Sequence, residues 1–314
     1  MPAPSQVHIN RALTDFSRRI GPGQFIRNKI FPQIPVDKES DNYFIYDTAH
    51  LRIGNDGPRA HTEPALRFDW APSNTPYLVG FYNRFSLVTD REVANADVPL
   101  APKQDATLGL MDLLRVGHEK RAADIAFSTT YVTQNTTLAG NDQWSDATNG
   151  ESHPIDDLET AMQTVQEAIR VPDDMLSVSM GVAVWRKVRH HPDVVDRYKY
   201  TAGGGVTKAQ FADLVGIKPE NLNIGMSGYE SADEGQTSSL ANIWGKHCLV
   251  HYTNPNPGPR SISFGANFRL RKGEVQVSEW RENNPPGDNV LVEINGSQHV
   301  ISTAAGYLIV NAVA

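Results

Sequence analysis

Several stretches of this 314-residue chain carry residue types that do chemistry in other proteins, and spacing tests each of them. His118-Glu119-Lys120-Arg121-Ala122 opens like a zinc-protease helix, where two imidazoles one turn apart hold the metal and the glutamate acts as base. Ala122 occupies the second imidazole position, so no such pair forms. Gly225-Met226-Ser227-Gly228-Tyr229 has the serine of a strand-to-helix nucleophile turn, but Tyr229 stands where that strained turn needs a glycine. In Ala202-Gly203-Gly204-Gly205-Val206-Thr207-Lys208 the lysine follows the threonine, the reverse of a phosphate loop, and a turn or hinge is expected.

His190, His191, His247 and His251 could converge on a metal and would be the basis of a metal-dependent hydrolase. His247 and His251 fall in an expected strand, where they share a face but sit roughly 13 Å apart, too far for one ion. Between Asn141 and Ile169 there are seven acidic residues and no Lys or Arg, without the Asp-x-Asp-x-Asp-Gly order of a calcium loop; a solvated face is expected. Cys248 stands alone, which excludes an intrachain disulfide and a Cys-based zinc or iron-sulfur site and fits a reducing compartment. With no motif intact, the expectation is a protein that is not an enzyme and has no catalytic, cofactor or metal site.

The elements around these residues describe something other than a catalytic scaffold. Residues 1–50 read as an extended arm, basic up to position 31, kinked by Pro22, Pro32 and Pro35. The runs Tyr43–Tyr46 and Tyr77–Val88, separated by turn clusters, read as a long and poorly buried hairpin. From about Lys103 to Ser128 a proline-free stretch of good helix formers predicts one long helix, with Leu110, Leu113, Leu114, Gly117, Ala122 and Ile125 as its stripe. A second helix starts at Pro154, with Leu158, Met162, Val165 and Ile169 inward.

Leu176 to Val184 alternates as a strand with one buried face, and a basic segment follows from Trp185 to Arg197. Thr207 to Gly216 is a short helix with a Thr207/Gln210 capping box, Phe211 and Leu214 inward and Gly216 as terminator. Asn221–Met226 and His247–Tyr252 read as strands, the latter central. The remainder is β: Ile262–Leu270, Val275–Arg281, Val290–Ile294, Gln298–Ser302 and Tyr307–Ala312, with Asn295-Gly296 as a hairpin turn. The fold class is α+β.

A chain of this length, 39% apolar, buries roughly three quarters of its unfolded surface without staples. Its 29 basic and 36 acidic side chains leave a net charge of -7, which argues against a protein made to neutralise phosphates. Nothing near Met1 reads as a secretory signal, and no apolar run is long enough to span a membrane, so no membrane partner is expected. An arm and a hairpin that leave Phe25, Phe31, Phe81, Tyr82 and Phe85 uncovered are costly in a monomer and sensible if neighbouring copies cover them.

One ordered set of segments is informative as a set. Asp15-Phe16-Ser17, Phe25-Ile26, Ile30-Phe31-Pro32-Gln33-Ile34-Pro35-Val36 and Tyr43-Phe44-Ile45-Tyr46 come first. Val184-Trp185, His191-Pro192-Asp193 through Tyr198-Lys199-Tyr200, Ile243-Trp244-Gly245, Ser263-Phe264-Gly265 and Ala305-Gly306-Tyr307-Leu308-Ile309 follow. This succession, across almost the whole chain, resembles the major capsid proteins of tailed bacteriophages, the Hong Kong 97-type capsid fold.

The resemblance implies an N-terminal arm at 1–50, an extended loop at 51–90, a peripheral domain with the spine helix at 91–172, an axial domain at 173–255 and return strands of the peripheral domain at 256–314. It implies self-assembly into hexamers and pentamers of an icosahedral phage head, a virion component assembled in the host cytoplasm. The packaged double-stranded DNA would be enclosed without specific binding. A portal protein and, in some members, a decoration protein are implied partners. Because the arm-like pattern begins by residue 8, a separate scaffolding protein is expected. The candidates for inter-subunit contact are Arg18, Arg19, Phe25, Arg59, Arg67, Phe81, Tyr82 and Arg84. No lysine occurs between Lys38 and Lys103, so an isopeptide cross-link from the extended loop is not expected. An encapsulin, a protein compartment of the same fold that carries enzyme cargo, is the alternative.

Overall fold

The computed structural model describes residues 23–45, 61, 73–96, 100–146, 150–198, 206–254, 256, 262–271 and 275–314. In chain order the elements are α1 (Arg27–Ile30), β1 (Gln33–Val36), β2 (Ser40–Ile45), β3 (Ser73–Leu78), β4 (Gly80–Thr89), α2 (Asp90–Asn95), α3 (Pro102–Ala126), β5 (Asn135–Thr137) and α4 (Pro154–Ile169). There follow β6 (Ser177–Gly181), α5 (Val182–Val188), α6 (Pro192–Tyr198), α7 (Lys208–Val215), β7 (Leu222–Gly225), β8 (Gly228–Glu230), β9 (Leu240–Asn242) and β10 (Cys248–His251). The chain closes with β11 (Gly265–Leu270), β12 (Val275–Asn283), β13 (Pro286–Val300) and β14 (Gly306–Val310).

Two five-stranded sheets organise the described residues. One runs β5-β14-β10-β6-β7, with β10 central as its residues predict. Every residue of β6, β7 and β10 is buried, so these three strands are covered on both faces, while β5 at one edge is exposed. The other runs β1-β11-β13-β12, with β4 also paired to β13. β2 and β3 form a separate antiparallel pair with Tyr43 opposite Thr75.

The 25-residue helix α3, roughly 38 Å long, joins the two sheets. Its N-terminal half packs Leu110, Met111 and Leu114 under Val292 and Ile294 of β13. Its C-terminal half sends Ala122, Ala123 and Ala126 into the main core, beside Trp244, Leu249 and the α4 residues Leu158, Met162 and Val165. Small residues there let the helix approach the sheet closely. The expected stripe is corrected on this point: Leu113 is exposed, and His118 and Glu119 take inward positions.

Other expectations hold at single-residue resolution. Pro154 starts α4, Asp156 and Asp157 lie in its first turn, and Leu158, Met162, Val165 and Ile169 are buried. Thr207 and Gln210 form the capping box of α7, Phe211 is fully buried, and Gly216 closes the helix in the left-handed conformation.

Four expectations are corrected. The strand expected over Leu176–Val184 ends at Gly181, and Val182–Val188 is helix with Val184, Trp185 and Val188 inward. Gly181 is the joint: a Cβ there would lie 1.6 Å from the Trp244 carbonyl oxygen. Asn295-Gly296 is not a hairpin turn but lies within β13, where pairing with β12 and β4 ends and pairing with β11 begins. The Asn295 side-chain carbonyl accepts the Leu270 N–H at 2.9 Å, and a Cβ on Gly296 would sit 2.8 Å from Asn267 Oδ1. The segment Gly80–Thr89, expected within the extended loop, is a strand of the larger sheet. Finally, the arm expected over 1–50 is no free arm from Ile26 to Phe31, because Ile26, Ile30 and Phe31 belong to the main core.

Candidate functional site

Among the motifs tested on spacing, the structure shows what each residue does. Glu119, fully buried on α3, accepts from the Ile26 N–H (2.7 Å), the Trp244 indole N–H (2.8 Å) and the Arg27 N–H (3.3 Å), and the Arg27 guanidinium lies 3.9 Å from it. It joins the N-terminal segment, the spine of the molecule and the segment before β10. Burial pushes its carboxyl pKa up against these hydrogen bonds, which pull it down. His118 beside it is pushed down to about 3 by burial first, then by the charges of Arg27 and Arg121.

The four histidines do not meet. His251 is fully buried, its Nε2 2.9 Å from Ser179 Oγ and its Nδ1 2.7 Å from Thr253 Oγ1. His247 Nδ1 accepts the Asn311 N–H at 3.0 Å, and His191 Nδ1 accepts the Asp193 N–H at 3.3 Å. Among the described residues no group of three or more His, Cys, Asp or Glu is arranged to hold a metal ion. Ser227 is buried, and its carbonyl takes the Ile243 N–H. Cys248 is buried with its thiol pKa pushed up, opposite to an activated nucleophile. The glycines 203–205 lie outside the described residues.

The surface with unspent potential is a sheet face. Register along β4, β13 and β12 aligns Phe85 with Leu291 and Ser278, and Leu87 with Asn289 and Trp280. Odd residues of β4 therefore share one face with Leu291 and Trp280, away from α3. Phe81, Phe85 and Trp280 are exposed, and the Phe85 and Trp280 rings meet at 5.8 Å. The even residues point the other way: Tyr82 packs toward α3, its ring 3.5 Å beneath the Arg121 guanidinium. A second exposed strip lies on the β2–β3 pair at Phe44 and Leu78.

Of the contact candidates, Phe81 and Arg84 are exposed on opposite faces of β4, so the structure does not bring them together. Tyr82 is half-buried against its own chain, and Phe25 is half-buried with the Arg27 guanidinium 5.6 Å over its ring. Phe31, counted among the uncovered aromatics, is buried against Phe264 and the backbone of Gly265. Arg18, Arg19, Arg59 and Arg67 lie outside the described residues. Sequence reasoning missed Trp280. Its signal was present: Gln276, Ser278 and Trp280 alternate with Val275 and Val277, placing the tryptophan with the polar set.

Comparison with known proteins shows what the chain is similar to. The family model described as phage major capsid protein E matches residues 127–227. The major capsid protein of Pseudomonas phage JBD67 is 25% identical over 251 residues, which is 78% of this chain and 77% of that one. A phage-related protein from Bordetella bronchiseptica RB50 superposes with a TM-score of 0.71 at 20% identity, covering 97% of this chain and 98% of the other. The capsid of cyanophage P-SCSP1u gives 0.62 at 9% identity over 98% of each chain. The SrpI encapsulin of Synechococcus elongatus PCC 7942 gives 0.54 at 11% identity, covering 98% of this chain and 97% of that one. The fold is thus the Hong Kong 97-type capsid fold, and within it the chain is similar to phage major capsid proteins, over residues 127–227 by the family model and along most of its length by the Pseudomonas phage relative.

Proposed function

We propose that this subunit assembles, without enzymatic activity, into hexameric and pentameric capsomers of an icosahedral head that encloses double-stranded DNA. In this reading the extended loop of residues 51–90 is rooted in the larger sheet by its last strand, β4, α3 is the spine helix of the peripheral domain, and 173–255 form the axial domain. Assembly takes place in the host cytoplasm on a separate scaffolding protein, with a portal protein and room for a decoration protein. The observation that carries the reading is the exposed aromatic face of Phe81, Phe85 and Trp280 on a sheet whose opposite face already covers α3. A soluble monomer has no use for such a patch. Packaged DNA is confined and not specifically bound, since the net charge is -7.

Sedimentation of the purified protein over a wide concentration range, with electron microscopy of the fast fraction, tests it. Closed shells, alone or with the scaffolding protein, are expected; a compact monomer under both conditions rejects the reading. The encapsulin fold neighbour keeps a second reading in view, and the contents of the particles separate the two: DNA in a phage head, folded protein in an encapsulin.

A further inference from the structure

Along α3 and the sheet of β11 and β13 that it packs on, several buried side-chain atoms have no hydrogen-bond partner among the described residues. Arg121 lies flat on the Tyr82 ring at 3.5 Å, an arrangement that fixes the plane of its guanidinium. Its Nε and Nη2 are buried, and neither has a hydrogen-bond partner among the described residues. These two atoms form one side of the guanidinium, the parallel pair of N–H donors that fits two oxygens of a carboxylate or phosphate. Burial pushes the Arg121 pKa down, the Tyr82 hydroxyl pulls it up and the charge of Arg27 pushes it down, and no carboxylate among the described residues offsets this. The acids on either side of it along the helix are engaged elsewhere: Glu119 is filled by Ile26, Arg27 and Trp244, and Asp124, one turn on, pairs with Lys120.

The facing strands add donors. Asn267, 1% exposed, has neither its Nδ2 nor its Oδ1 paired, and Gln298, directly opposite it in register and 7% exposed, has an unpaired Nε2. Arg269, two residues along β11 on the same face as Asn267, has a buried and unpaired Nε. Gly296 ties this group to α3: a Cβ there would meet Asn267 Oδ1 at 2.8 Å and the His118 ring at 3.1 Å. Among the described residues this group holds buried, unpartnered donors from two arginines and two amides and no acid, and buried polar atoms are costly without a partner.

We propose that the Nε–Nη2 edge of Arg121, assisted by Asn267 and Gln298, is a binding site for an oxyanion. The oxyanion is inorganic phosphate in the free subunit or an Asp or Glu carboxylate of a second copy in the shell. The second source rests on the assembly reading above; the first does not.

The test is calorimetric titration of unassembled subunits with inorganic phosphate, against sodium chloride at equal ionic strength, and a high-resolution map of the assembled particle. Saturable phosphate binding in the subunit, weakened at least about tenfold by Arg121→Lys, which keeps the charge and loses the two-donor edge, is the expected result. Asn267→Ser is the second variant, to be used if Arg121→Lys does not fold, and it should weaken binding as well. In the particle, isolated tetrahedral density at the Arg121 edge identifies phosphate, and density continuous with an acidic side chain of another subunit identifies the second copy. Binding unchanged in both variants overturns the proposal. So does the absence of phosphate binding together with a particle map that holds only water at that edge, a result that leaves the assembly reading intact.

Discussion

At the scale of single residues, the chemistry-bearing side chains of this chain serve packing. Glu119 gathers three N–H donors and a guanidinium around one carboxylate, and Glu119→Gln would turn an amide N–H toward one of them. A loss of about 3 kcal/mol in denaturant unfolding is expected, as for a broken buried charge pair; a change under about 0.5 kcal/mol would show that the carboxylate does not join these segments. His251 makes a pH prediction. Burial pushes it down to about 3, below the ordinary value near 6.5, so between these values the unfolded chain binds the extra proton. Stability therefore rises with pH through that window and is lost on acidification, by up to about 1.4 kcal/mol per pH unit. His118 has the same sign, whereas the raised pKa of Glu119 gives a contribution present at low pH and lost as pH rises. Comparing the parent with His251→Gln isolates the imidazole: the variant should lose stability less steeply between about pH 6 and pH 4. Equal slopes would mean that His251 titrates normally.

At the scale of elements, local signals were legible where they were self-contained. The capping box of Thr207 and Gln210, the Gly216 terminator and the Pro154 start of α4 each depend on a few neighbouring residues, and each stands where its residues place it. Signals resolved by distant partners were misleading. Asn295-Gly296 has the composition of a tight turn, yet it continues a strand because β12 and β4 pair with the part of β13 before it and β11 with the part after it. Gly296→Ala should cost about 1–3 kcal/mol, since the new methyl meets Asn267 Oδ1 at 2.8 Å and the His118 ring at 3.1 Å; thermal unfolding reads it, and an unshifted midpoint would show that these side chains can move aside. The apolar alternation from Leu176 could not reveal that Gly181 ends the strand, because the cause is the Trp244 backbone more than sixty residues away. The proline-kinked N-terminal segment looked peripheral for a similar reason: its anchors, Glu119 and Phe264, lie far along the chain. Deleting residues 1–31 should therefore unfold the subunit, as loss of its circular dichroism would show. A soluble, native-like product would return that segment to the role of an arm.

At the scale of the whole molecule, the α+β class and the one long helix were legible because a run of helix formers without internal proline and the strand patterns after it are local signals. The contact surface was only half legible, because exposure in a strand depends on which face the rest of the fold covers. Phe81 and Phe85 were recognisable as uncovered aromatics, but Tyr82, between them in sequence, is claimed by Arg121, and Trp280 joins them only through the pairing of β12 and β4 on either side of β13. The face can be removed without touching the core, because Phe85 and Trp280 are 61% and 44% exposed. Phe85→Glu and Trp280→Glu, singly and together, should leave the circular dichroism and unfolding midpoint near those of the parent, since exposed substitutions usually shift stability by under about 0.5 kcal/mol. If neighbouring subunits cover this face, each glutamate places a charge in a desolvated apolar contact, and the penalty recurs at every equivalent interface of the shell. Assembly is therefore more sensitive than folding: the double variant should sediment as free subunits or capsomers under conditions where the parent forms closed particles. Normal particles from the double variant would mean that this face looks onto solvent in the shell, and that the subunits meet through other surfaces.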